Sequence, residues 1–110
     1  MLHIGKKNWS MIKEKDVLKD FLSQIGNSIR EKRKDNAMSL EKLGLEIGLT
    51  RMQVHRIEKG YNITMTTLLK LSLALGIKPN ELLKFDSNFK KEDLEKLVNI
   101  SKGNKARGLK

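Results

Sequence analysis

The 110-residue sequence predicts an all-α fold, short helices packed around one modest core. Apolar residues recur every three or four positions over most of the stretch from Val17 to Leu83, the spacing of one face of a helix. The composition agrees: 38% hydrophobic, 33% charged, 5% aromatic and a single proline, with leucine, lysine and glutamate, all good helix formers, prominent. Hydroxyl residues suited to capping and glycines suited to stopping cut the pattern into separate helices.

Residues 1–16 mix Gly5, Lys6, Lys7 and Asn8 with isolated Trp9, Met11 and Ile12 and hold no period, so an N-terminal tail is expected, with Trp9 folded back onto the domain. The domain is placed at 17–86. Its first helix starts at Val17, carries Leu18, Phe21, Leu22, Ile25 and Ile29 on one stripe and ends near Asp35 or Asn36, with Gly26 weakening it slightly. Ser39 caps a second helix that buries Leu43 and Ile47, with Gly44 where crossing helices approach most closely and Gly48 at the end. Thr50 caps a third helix from about Arg51 to Lys59, stopped by Gly60. Beyond the loop Tyr61, Asn62, Ile63 and Thr64, Thr66 is expected to cap a fourth helix with Leu68, Leu71, Ser72 and Leu75 on its core stripe. Leu69 and Leu73 make a second stripe there, read as a contact surface. Gly76 ends that helix, and Pro79 opens a short fifth one with Leu82 and Leu83. Residues 87–110 then give an extra short C-terminal helix, Lys91 to Ser101 with Leu94, Leu97, Val98 and Ile100, followed by a mobile basic tail.

The stretch Ser39 to Gly60 organises the rest, because two short amphipathic segments meet there at one glycine-permitted turn. On the third helix Val54 and Ile57 point one way, and Arg51, Met52, His55, Arg56 and Lys59 point the other. A basic helix face presented across a tight turn suits the major groove of DNA.

Formal net charge is +10, which favours a polyanionic partner. The surplus is three over residues 1–19, four over 20–85 and three over 86–110, so charge alone does not locate the site. With no cysteine there is neither a disulfide framework nor a thiolate metal site, as suits a reducing cytoplasm. No apolar run approaches the ~20 residues that span a bilayer, and the N-terminus lacks the apolar core of a signal peptide, so a cytoplasmic location with no membrane contact is expected. His3 and His55 are the only histidines and no glycine-rich loop follows a strand. No catalytic residue, cofactor or metal is therefore expected.

Four segments in order, IGNSIREKR, SLEKLGLEIGLT, RMQVHRIEKG and TLLKLSLALGIKPNELL, resemble the opening, the second helix and turn, the recognition helix and the closing pair of one family. It is the helix-turn-helix family of phage Cro and lambda-type repressors, also called the xenobiotic-response-element family, and the likeness spans roughly Ile25 to Phe85. The resemblance implies a five-helix lambda-repressor-like DNA-binding domain, double-stranded DNA as partner, and a homodimer on an inverted-repeat operator. It also implies that Arg33 and Glu58 form a structural ion pair tying the first helix to the end of the third. Two positions depart from the family pattern: Leu40, where a glutamine usually contacts a phosphate, and Gly44, where alanine is commoner. With Leu40 that side-chain contact is lost, leaving the backbone N–H groups beside Ser39 to face a phosphate.

Arg51, at the start of the recognition helix, can contact guanine in bidentate fashion, worth ~1–3 kcal/mol of discrimination. Arg56 can read a base or hold a phosphate, Met52 can meet a thymine methyl, and Gln53 and His55 can hydrogen-bond bases or phosphates. Ser39, Thr50, Lys59, Tyr61 and Asn62 lie where the chain meets the DNA backbone. The expected function is a sequence-specific double-stranded DNA-binding transcriptional regulator, a repressor. The alternative is an antitoxin-type protein-binding module that neutralises a partner protein through residues 87–101 and autoregulates through the same domain.

Overall fold

The computed structural model describes residues 16–83 and 89–106, and all the regular structure there is helical. The helices are α1 (Val17–Asp35), α2 (Leu40–Ile47), α3 (Arg51–Glu58), α4 (Met65–Leu75), α5 (Pro79–Leu82) and α6 (Asp93–Ala106). Trp9 and residues 107–110, for which expectations were given, lie outside the described residues. The chain divides into two compact units, Phe21–Ser87 and a second made of Met1–Asp20 with Asn88–Lys110.

Asp16 caps α1, its Oδ1 accepting from the Lys19 N–H at 2.9 Å. Leu22, Ile25 and Ile29 are buried at three- and four-residue spacing, and Arg33 continues their stripe into the last turn. Gly26, expected to weaken the helix, instead permits a contact. A Cβ there would lie 2.5 Å from the Glu58 carbonyl oxygen and 2.7 Å from that of Ile57, so only a glycine lets the end of α3 rest on α1.

Ser39 caps α2 by accepting from the Lys42 N–H at 3.0 Å, and Gly48 ends it at φ 78°. Gly44 is a close-approach glycine, as its sequence position suggested, but its neighbour is the turn: a Cβ would lie 2.5 Å from the Leu49 carbonyl oxygen. α2 packs against α3 and α4, and α5 packs against α4. Leu43, Ile47, Val54, Ile57, Leu68, Leu71, Leu75 and Leu82 are buried on these helices.

The cap of α4 is Thr64 rather than Thr66. Its Oγ1 accepts from the Thr67 N–H at 3.1 Å and its backbone is extended, so the helix begins at Met65 and Thr66 already lies inside. Gly76 closes α4 at φ 69°, and Pro79 opens α5, where the Lys78 N–H donates to Glu81 Oε2 at 3.1 Å. Leu82 is buried, whereas Leu83 follows the helix and is exposed. Leu69 and Leu73 are also exposed.

α6 is longer than the expected Lys91 to Ser101 and runs to Ala106, where a mobile tail was expected. Gly103 costs a helix only about 1 kcal/mol, too little to end it. Leu94 and Val98 on this helix are exposed.

Candidate nucleic-acid interface

The start of α3 is fixed by a reciprocal pair of hydrogen bonds. Thr50 Oγ1 accepts from the Gln53 N–H at 3.1 Å, and Gln53 Oε1 accepts from the Thr50 N–H at 2.8 Å. Gln53, expected to be free for bases or phosphates, therefore has its oxygen engaged and offers only its amide donors. From there the helical period exposes Arg51, Met52 and Arg56 while Val54, Ile57 and Glu58 are buried. Lys59, the C-terminal cap, is exposed beside them. His55 departs from the expected exposed face and is half-buried.

The residues that flank α3 fall on both sides of it. Tyr61 and Asn62 are exposed in the loop that follows, with Asn62 Oδ1 accepting from the Ile63 N–H at 2.9 Å. Ser39 is exposed at the N-terminus of α2, with its hydroxyl oxygen engaged in capping.

The orientation of α3 is held from α1. Arg33 Nε lies 2.6 Å from Glu58 Oε2, its Nη2 donates to Glu58 Oε1 at 3.1 Å, and its Nη1 donates to the Met38 carbonyl at 2.8 Å. The two side chains are 10% and 4% exposed, so neither charge could be left unpaired without a large desolvation cost. Three fork-like bonds tie α1, the link to α2 and the last turn of α3 into one frame, which fixes how far the exposed face of α3 projects.

A cleft of about 430 Å³ opens beside that frame, lined by Asn27, Arg30, Arg33, Lys34, Leu40, His55, Glu58 and Lys59. It gathers four residues singled out in the sequence, His55, Lys59 and the ion pair Arg33 and Glu58, with two further cations of α1 that sequence reasoning left off the site, Arg30 and Lys34. The available signal was their spacing: like charges one helical turn apart repel, an arrangement that favours a partner anion. Among the described residues, no helix is long and apolar enough to cross a membrane.

A short helix that shows an exposed basic face across a glycine turn, braced from behind by a buried ion pair, defines a helix-turn-helix DNA-binding protein. The helix-turn-helix family model matches residues 29–82. Control protein C.BamHI of Bacillus amyloliquefaciens is 39% identical over 63 residues, covering 56% of this chain and 78% of that protein. The crystal structure of the restriction-modification controller protein C.AhdI of Aeromonas hydrophila matches with a TM-score of 0.54 at 39% identity, over 56% of this chain and 94% of that one. A hypothetical transcription factor from Neisseria, NHTF, matches with a TM-score of 0.55 at 27% identity, over 73% of this chain and 87% of its own. The chain belongs to the Cro and lambda-repressor-like helix-turn-helix family. It is a sequence-specific DNA-binding regulator of transcription.

Proposed function

We propose that the chain represses transcription by binding, as a homodimer in the cytoplasm, an inverted-repeat operator whose half-sites are each read by one α3. The observation that carries this reading is the sidedness of α3. Arg51, Met52, Arg56 and Lys59 are exposed on a helix whose other face, Val54, Ile57 and Glu58, is buried. In this reading Arg51 makes the bidentate contact to guanine, Met52 meets a thymine methyl, and Arg56 reads a base or holds a phosphate. Ser39, Thr50, His55, Lys59, Tyr61 and Asn62 meet the backbone on either side, and Gln53 contributes its amide N–H groups. Control protein C.BamHI and the restriction-modification controller C.AhdI are both 39% identical to this chain, and the second supports restriction-modification genes as the ones governed. They support a regulator rather than the antitoxin alternative, and the reading gives the chain no catalytic step.

Selection of bound duplexes from a random pool at several salt concentrations tests the proposal. The expected product is an inverted repeat with guanine in each half-site, bound less tightly as salt rises. Arg51→Ala should relax the preference at one base of each half-site, whereas Lys59→Ala should weaken all sequences alike. Recovery of no preferred sequence would overturn the assignment of α3 as the reader.

A further inference from the structure

Resting on the DNA-binding reading, we propose that the cleft between α1 and α3 is a clamp for one backbone phosphate, held by Arg30, Lys34 and Lys59. Among the described residues, Glu58 is the only carboxylate lining the cleft, and both of its oxygens are taken by Arg33, at 2.6 and 3.1 Å. Its charge is therefore spent within the frame and does not neutralise the remaining cations. Among the described residues, Arg30, Lys34 and Lys59 form no ion pair, and all three are exposed.

Three unpaired cations converging on one cleft focus a positive potential there, and an oxyanion is the ligand that such a field recruits. The helix dipole favours Lys34, in the last turn of α1, but does not account for Arg30, which lies more than a turn further in and one turn from Lys34. Those two like charges repel across that turn, and a phosphate between them converts the repulsion into two charge-assisted hydrogen bonds.

Position fixes which phosphate. Lys59 ends the helix that reads the groove, so the cleft lies at the groove's edge, where the DNA backbone runs. Leu40 lines the same cleft with an apolar side chain, so the charge comes from the α1 side instead.

The test compares the full-length chain with its double variant Arg30→Gln, Lys34→Gln. Both positions are exposed and their charges repel, so the thermal melt should not fall, which separates binding from folding. Affinity for the selected operator and for a scrambled duplex is measured by fluorescence anisotropy across a salt series, alongside ethylation interference. The expected result is a roughly tenfold loss on both duplexes, with a slope of log K against log salt shallower by about 0.9 for the one phosphate released. Ethylation of one phosphate per half-site should block the wild type and cease to matter in the variant. An unchanged slope and interference pattern overturn the clamp while leaving the regulator standing, whereas a wild type that binds no duplex overturns both. If inorganic phosphate raises the melting temperature of the wild type but not of the variant, and DNA affinity is equal, the cleft holds a free oxyanion and the proposal fails.

Discussion

Ala37 holds a backbone conformation that glycine holds more easily. Its φ of 54° places an L-residue in the left-handed region, at a cost of about 1–2 kcal/mol, in the exposed link between α1 and Ser39. Glycine removes that strain but adds unfolded-chain entropy, so Ala37→Gly should stabilise by about 0.5–1 kcal/mol, seen as a higher urea midpoint at constant slope. The opposite sign is expected at the neighbouring ion pair. Glu58→Ala leaves the buried Arg33 guanidinium with only the Met38 carbonyl and should cost about 3–5 kcal/mol. Replacing both members with apolar residues of similar volume, Arg33→Met with Glu58→Leu, should recover most of it by the same denaturation assay. If the double variant is as unstable as the single, the penalty comes from packing and not from stranded charge. At this scale the exposure of Arg51, Met52, Arg56 and Lys59 was legible, because one helical period decides it. The half-burial of His55 was not, since the sequence does not show how near α1 and Leu40 come to it. The engagement of Gln53 was encoded in the Thr50 and Gln53 spacing, where a local cap outcompetes an exposed amide.

Whether α1, α2 and α3 fit together depends on glycines of two different kinds. Gly26 and Gly44 are set against carbonyl oxygens that a Cβ would meet at 2.5 Å, while Gly48 has open space around it and needs glycine only for its φ of 78°. Gly48→Ala should therefore cost about 1 kcal/mol of backbone strain. Gly26→Ala should cost clearly more, because α3 has to move off α1 and the Arg33–Glu58 bonds stretch with it. Thermal melts of the two variants give the order directly, and a Gly26→Ala chain no less stable than Gly48→Ala would show that α1 and α3 slide without penalty. Helix ends were readable where one residue type has one local use, as at Ser39, Thr50, Gly48, Gly76 and Pro79. They were misplaced where neighbours share a chemistry: Thr64, Thr66 and Thr67 can all cap, and the loop leaving Gly60 decides in favour of Thr64. The role of Gly26 was not legible, because its partner is more than thirty positions away in the sequence. The end of α6 was missed because residues 102–106 carry no apolar period, which is the signal by which a helix is read from sequence.

Across the whole molecule, apolar packing and charge are distributed differently. Every buried hydrophobic residue among those described lies between Val17 and Leu82, whereas residues 86–110 still carry a surplus of three positive charges. Stability should then reside in residues 17–82, which contain the whole stretch that the family model matches, and the C-terminal segment should act mainly through its charge. A chain ended after Ser87 should unfold cooperatively with a melting temperature within a few degrees of the full chain. It should bind every duplex more weakly, and the deficit should shrink as salt rises, because the lost contribution is released counterions. The ratio of operator to scrambled affinity should stay the same, since α3 supplies the base contacts and is untouched. Melting curves and anisotropy at two salt concentrations check all three statements. A truncated chain that keeps its melting temperature but loses its preference for the inverted repeat would give a different answer. It would place the contact between two copies in α6, where Leu94 and Val98 are exposed, because a monomer reads one half-site and gives up the affinity that the second contributes.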